Sequence, residues 1–494
     1  MKIKMLFALL FSVSALLTSA QLQQMLYEGP PVFHGAKVVG NRPGTDFLFT
    51  VPATGERPIT FFSKDLPKGL NMEATTGIIR GKVNEAGEYK VTIIAANAQG
   101  KTEQELKIVI GDKLCLTPPL GWNSWNVFTN TLDEKMVMEM ADAMVNSGMR
   151  DLGYQYINMD DYWHDSTRAA DGKPVANPQK FPHGIKWLAD YVHSKGLKLG
   201  IYSDAGNKTC GKCFGGFQHE EIDAKQYAEW GVDLLKYDFC FVPWKKQEAL
   251  SRYKKMGDAL KNSGRSIVYS ICNWGLFKPW KWGESVGGHY WRTTPDIFDT
   301  WKGGNVFMMS TMRILQRQNK ILPYGGPGHW NDPDMLIVGN YGEGKATSWK
   351  GTFKGMTDTE YQSHMSLWAM MNAPLLSSCD LRNMNEVTKK ILLNPELLAI
   401  NQDEKGEPAR LVLKKHGVWL YKKNLSDGSV AVAVFNTSKR EKQFELTLEQ
   451  LNLTGTYTAR DVWQHTEAGI LKDKMQLTIK GHETVVLKFT TSVH

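Results

Sequence analysis

The chain has 494 residues, of which 42% are hydrophobic and 22% charged, and a formal net charge of +8. That length exceeds one ordinary hydrophobic core, so two or three domains are expected, and the composition is that of a globular, non-membrane protein. The positive charge is scattered with no long Lys/Arg block, which argues against a nucleic-acid partner. The 16 tryptophans fit sugar-stacking surfaces and large β-domain cores equally well.

Met1–Ala20 reads as a secretory leader. Lys2 and Lys4 form its charged start, Met5–Leu17 its apolar middle and Thr18-Ser-Ala20 its small-residue end. The apolar run is too short to span a membrane, and no Cys follows that would take a lipid. The expected location is therefore the periplasm or the exterior, where disulfides form.

Residues 27–112 read as all-β. Asp46-Phe-Leu-Phe-Thr-Val51 and Leu106-Lys-Ile-Val-Ile110 alternate apolar and polar, and Tyr89–Ala96 is a further β-rich run. From 113 to 403 short apolar strands alternate with helical stretches, the signature of parallel βα units. Eight strands are expected near Pro118–Trp125, Tyr154–Met159, Leu197–Ser203, Val232–Tyr237, Ser266–Ser270, His289–Arg292, Ile321–Gly328 and Met371–Leu376. Eight favours a closed (β/α)8 TIM barrel over an open sheet. Thr131-Leu-Asp-Glu134 reads as a capping box opening a helix with Met136, Met140 and Met144 on one face and Gly148 as its stop. Trp187–Val192 and Ala249–Leu260 are further helical candidates. Residues 404–494 return to β. Val418–Lys422 and Val430–Val434 flank the turn Ser426-Asp-Gly428, and Thr484–Phe489 closes a small antiparallel sandwich.

Polar residues collect where the barrel strands end. Trp122-Asn-Ser-Trp125, Asp160-Asp-Tyr-Trp163 and Tyr202-Ser-Asp204 follow the first three strands. Lys236 and Asp238 follow the fourth, Cys272-Asn-Trp274 the fifth, Arg292 and Asp296 the sixth, and Trp330-Asn-Asp-Pro-Asp334 the seventh. Strand ends of a βα barrel share one face, so carboxylates from separate strands converge there. In Gly231-Val-Asp-Leu-Leu-Lys-Tyr-Asp-Phe-Cys240, residues 236 and 238 project to the same side. A Lys there holds Asp238 ionised, as a carboxylate nucleophile requires; helix capping by Asp238 is the alternative. Asp160-Asp161 lacks the further spaced oxygens of a calcium or magnesium loop, and sugar hydroxyls fit the pair better, although Asp161 could instead cap a helix. Six cysteines are sparse for this length. Cys210-Gly-Lys-Cys213 has the spacing of a zinc or redox half-site, but no second CxxC or CxxH completes it. No metal and no cofactor is expected.

Pro119-Leu-Gly-Trp-Asn-Ser-Trp125, Ile157-Asn-Met-Asp-Asp-Tyr-Trp163, Leu197–Asp204, Asp233-Leu-Leu-Lys-Tyr-Asp238, Trp291-Arg-Thr-Thr-Pro-Asp296 and Gly328-His-Trp-Asn-Asp-Pro-Asp-Met-Leu336 together resemble glycoside hydrolase family 27. This is the family of α-galactosidases and α-N-acetylgalactosaminidases, and the likeness runs from about residue 115 to the C-terminus. Gly69–Gly81 resembles an Ig-like module found beside secreted glycosidases. The family resemblance implies a retaining mechanism with Asp238 as nucleophile and Asp296 as general acid/base. It implies that Asp160 and Asp161 hold O4 and O6 of galactose, that Lys236 and Arg292 contact the sugar, and that Trp122 forms an aromatic wall. Tyr202, Cys272, Asp334 and Met335 match further pocket positions, and Cys210 and Cys240 match a disulfide beside the nucleophile, leaving Cys213 as an extra thiol. Arg292 is expected to face the sugar and not to pair closely with Asp296. Plant-like members read Cys-Glu-Trp-Gly where this chain has Cys272-Asn-Trp-Gly275, near O2 of the sugar. Retention of Cys272 favours an unsubstituted O2.

The expected activity is hydrolysis of terminal α-D-galactosyl residues from oligo- or polysaccharides. The alternatives are a β-L-arabinopyranosidase, an α-N-acetylgalactosaminidase, or a non-catalytic glycan-binding protein on a decayed barrel, which intact Asp238 and Asp296 oppose.

Overall fold

The computed structural model describes residues 19–344 and 354–492. Most of the expected leader, residues 1–18, lies outside them. Its last two residues open a helix, Ser19–Tyr27, which buries Leu22 and Leu26 against the barrel.

Eight parallel strands form the central sheet: Leu120–Asn123, Tyr156–Asn158, Lys198–Asp204, Leu234–Asp238, Val268–Ile271, Tyr290–Arg292, Trp330–Asp332 and Leu375–Ser377. The first seven pair in chain order, and the first also pairs with the eighth. A parallel bridge from Leu336 to Ser377 joins the seventh segment to the eighth and closes the ring. The strands are buried on both sides, which is why they read as apolar runs without alternation.

Three local expectations need correction. The seventh strand is Trp330–Asp332, not Ile321–Gly328. Leu322–Tyr324 is a 3-10 turn, and Pro323 within it has no N–H to give a ladder. The helix Glu134–Asn146 is capped by Asp133, whose carboxylate accepts from Met136 N at 2.8 Å. Thr131 sits in the preceding 3-10 turn and donates its hydroxyl to Phe128 O at 2.6 Å. The eighth strand starts at Leu375, because Met371 ends the helix Asp358–Met370 and Asn372 takes a φ of 54°.

N-terminal to the barrel stand a four-stranded and a three-stranded sheet, with Phe47, Phe49, Ile79, Val91, Ile93 and Ile108 buried between them. This unit meets the end of the barrel where strands begin. Thr50 donates to Gly196 O at 2.6 Å, just before the third strand, and Arg42 N donates to Ser266 Oγ at 2.8 Å, just before the fifth. The opposite end, where strands finish, is left open.

C-terminal to the barrel, six strands form one antiparallel sheet, with a two-stranded ribbon, Lys442–Thr447 and Lys474–Ile479, beside it. Alternation divides its strands. Val418, Leu420, Val432 and Val434 face a core shared with the ribbon. Trp419, Tyr421, Ala431, Ala433 and Phe435 face the barrel. Val430–Asn436 is thus buried on both sides, at about 1.5–3 kcal/mol for each large apolar side chain removed from water. Among the described residues no helix is long and apolar enough to cross a membrane.

Candidate active site

The finishing ends of the barrel strands surround an open cleft of about 1070 Å3. Asp160, Tyr202, Lys236, Asp238 and Asp296 line it, although they come from the third and fourth strands and from the loops after the second and sixth.

Asp238 ends the fourth strand and is buried. Parallel register sets Tyr202 of the third strand beside Lys236, and Asp204 beside Asp238. Tyr202 Oη donates to Asp238 Oδ2 at 2.9 Å, and Phe239 N donates to Oδ1 at 2.9 Å. Both carboxylate oxygens are therefore aimed. Burial pushes this carboxyl up to about 6, against the pull of the Lys236 charge and with a push from Asp296. It is still mostly ionised at neutral pH. Cys210 and Cys240 form a disulfide beside it, and Cys210 Sγ lies 3.9 Å from Asp238 Oδ2.

Lys236 is not the direct partner of Asp238. Its Nζ pairs with Asp160 Oδ2 at 2.7 Å, and Asn123 Nδ2 donates to the same oxygen at 3.0 Å. Period-two alternation put Lys236 and Asp238 on one side correctly, but a longer reach across the barrel to the second strand wins the ion pair. Asp161 is buried behind Asp160, with Oδ2 accepting from Gly211 N at 2.6 Å and Oδ1 from Tyr162 N at 2.7 Å.

Arg292 departs from expectation. Its Nη2 lies 3.0 Å from Asp296 Oδ1 and 2.9 Å from Asp334 Oδ2, and it also donates to Thr294 O. A guanidinium offers five donors, so one residue can serve both carboxylates. Its Nη1 lies 3.8 Å from Cys272 Sγ. Asp334 also accepts from Ile297 N and Met335 N, which ties the loop carrying Asp296 to the end of the seventh strand. Burial pushes Asp334 up to about 7 despite Arg292. The Asp296 side chain is 44% exposed, so it meets both cleft and solvent. Trp122 is buried and donates its indole N–H to Cys379 O at 2.9 Å, which makes it part of the wall's foundation.

Several site residues are given no role by the sequence reading, Asp204 among them although it stands in the polar cluster after the third strand. Asp204 is buried beside Asp238 and accepts from Cys240 N and Gly206 N, fixing the disulfide loop. Its position at the end of the third strand was a signal. Trp244, Trp280 and Phe307 line the outer cleft from loops, where no periodicity marks them. Asp204, Cys210, Asp238 and Cys240 cluster tightly enough to suggest a metal, but the disulfide takes both sulfurs.

Residues 117–403 match the family described as Alpha galactosidase A, and 415–489 match the Alpha galactosidase C-terminal beta sandwich domain. Residues 30–111 match an Ig-domain family. The Cyamopsis tetragonoloba alpha-galactosidase is 44% identical over 372 residues, covering 74% of this chain and 84% of that protein. A Bacteroides fragilis crystal structure, provisionally assigned as an alpha-galactosidase/melibiase, is 46% identical with a TM-score of 0.91 and covers 95% of this chain and 100% of its own. A Saccharomyces cerevisiae alpha-galactosidase solved with raffinose is 27% identical with a TM-score of 0.71, covering 77% and 98% respectively.

Proposed function

The chain belongs to the alpha-galactosidase family of glycoside hydrolases, family 27, and on that premise we propose that it is an exported, retaining exo-α-galactosidase. The observation that carries the reading is the pair Asp238 and Asp296. One is buried with both oxygens aimed, the other half-exposed, and both line one cleft at the finishing ends of the strands.

In the first step Asp238 attacks the anomeric carbon, and the glycosidic C–O bond breaks as Asp296 gives its proton to the leaving oxygen. Tyr202 and Phe239 N orient the attacking carboxylate. The product is a β-linked galactosyl ester of Asp238. In the second step Asp296 takes a proton from water, which attacks the same carbon and frees Asp238. Arg292 Nη2, 3.0 Å from Asp296 Oδ1, holds that carboxylate in place for both steps. The Lys236–Asp160 pair supplies a donor and an acceptor to ring hydroxyls, with Asp161 adding its carboxylate behind.

The substrate class is a galactose-capped oligo- or polysaccharide. The cleft is much larger than one sugar, and Trp244 and Phe307 stay 63% and 69% exposed along it, as faces on which an aglycone sugar stacks. The raffinose held by the yeast relative agrees with that class. Asn273, which replaces Glu of the plant-like motif, donates to Leu276 O at 2.6 Å and so is tied into its own loop. Cys272 Sγ lies 3.8 Å from Arg292 Nη1, and retention of this thiol is consistent with an unsubstituted O2.

The test is a panel of nitrophenyl glycosides. α-D-Galactopyranoside should be cleaved fastest. Faster cleavage of α-N-acetylgalactosaminide or β-L-arabinopyranoside would overturn the assignment.

A further inference from the structure

Cys213 has no part in the site described so far. It is a free, partly exposed thiol on the loop that carries Cys210. Its CxxC spacing has no second half in the sequence, but the fold brings other ligand types to it. One ligand atom each from Asp161, His164 and Cys213 lies within 4.8 Å of the other two. The loop is pinned there, because Gly211 N donates to Asp161 and Cys213 N donates to Thr209 Oγ1 at 3.0 Å.

His164 is the second and independent observation. Its side chain is fully buried, and among the described residues neither ring nitrogen has a hydrogen-bond partner. Its Nδ1 stands 3.7 Å from Asp161 Oδ1, too far for a hydrogen bond. The ring is held in place by stacking on Trp163 at 4.0 Å and by the edge contact with Phe214 at 4.8 Å. A buried imidazole with two idle nitrogens calls for a ligand.

We propose that Asp161, His164 and Cys213 form a Zn2+ site. An imidazole nitrogen, a thiolate and a carboxylate are the donor types zinc takes, and the sulfur and nitrogen disfavour calcium and magnesium. Zinc bonds of about 2.0–2.3 Å in a tetrahedron hold ligand atoms roughly 3.3–3.8 Å apart, so the His164–Asp161 separation already fits. Thiolate and carboxylate together cancel the metal's double charge, which suits a buried place. On binding, the thiol loses its proton to water, and water fills the fourth position.

Occupancy has a consequence that rests on the functional reading above. There Asp161 accepts from a galactosyl hydroxyl, so zinc on that carboxylate competes with substrate. The enzyme's activity would then report the zinc level outside the cell.

The experiment uses the whole enzyme after dialysis against a chelator, titrated first with Co2+ and then with Zn2+. Wild type should bind one Co2+ with a thiolate-to-cobalt charge-transfer band in the near ultraviolet, which zinc abolishes. Cys213→Ala and the size-matched Cys213→Ser should lose the band while keeping zinc-free activity. Both should need about tenfold more zinc, or beyond, for half inhibition. His164→Gln should lose the band with the thiol still present. No thiolate band in wild type, or the same band in the Cys213 variants, overturns the site. If the band behaves as expected but zinc leaves wild-type hydrolysis untouched, the metal site stands and the hydroxyl-binding role of Asp161 falls.

Discussion

Replacing Asp238 by Asn should abolish turnover and stabilise the fold, with a stability gain that depends on pH. The amide keeps the shape and the hydrogen bonds. Its oxygen can accept from Phe239 N, and the Tyr202 hydroxyl can rotate to accept from the new NH2 group. No ion pair is broken, since Lys236 is bonded to Asp160. What disappears is a buried charge. Burial raises the folded-state value of this carboxyl from 3.8 to about 6, so the folded protein binds its proton more tightly than the unfolded chain does. Below about pH 4 the group is protonated in both states and costs nothing. Between about 4 and 6 the unfolded chain ionises first, and native stability falls as pH rises. Above 6 the penalty is complete, at about 3 kcal/mol from 1.36 kcal/mol per unit. Thermal unfolding of wild type and Asp238→Asn at pH 4 and pH 7.5 measures it. The variant should melt a few degrees higher at pH 7.5 and within about a degree of wild type at pH 4. An equal shift at both values, or none at pH 7.5, would refute the claim that the nucleophile is held in place at a cost in stability.

Two further outcomes follow from the geometry. A chain beginning at Lys113 should keep most of its turnover on a small aryl galactoside at 25 °C, because the N-terminal unit meets the end of the barrel away from the cleft. It should melt lower, since Leu114, Tyr156, Val268 and Tyr290 lose cover at that end; folded protein without turnover would mean the site is misplaced. Asp160→Glu pushes a carboxylate about one methylene further into a packed site, at about 1–3 kcal/mol, so galactoside kcat/KM should fall tenfold or more. Hydrolysis of β-L-arabinopyranoside, which lacks the hydroxymethyl arm, should fall less; an unchanged ratio of the two would reject this role for Asp160.

What could be read from the sequence was what depends on local pattern. Apolar runs pointed to the barrel strands, alternation to the flanking β units, and the polar clusters after the barrel strands to the shared face. Partner choice was not legible. Lys236 lies two residues from Asp238 in sequence yet pairs with Asp160, because strand register and barrel curvature decide which carboxylate its Nζ reaches. Arg292 ends the sixth strand and Asp296 lies four residues on, and they meet because the guanidinium already anchored on Asp334 has donors to spare. The seventh strand was misplaced because a longer apolar stretch, Ile321–Gly328, outweighed three residues that begin with a tryptophan. Trp244 and Phe307 carry no signal beyond their residue type. His164 reads as an ordinary loop residue until the fold brings Cys213 to it.

The division of labour between Asp238 and Asp296 is the centre of the account, and one product decides it. Asp296→Gly, given azide and an aryl α-galactoside whose leaving group needs no protonation, should still form the ester on Asp238. Azide then displaces that ester from the opposite face, so proton NMR should show the α-galactosyl azide. The β-azide from this variant would mean that Asp296 is the nucleophile and that the two roles are reversed.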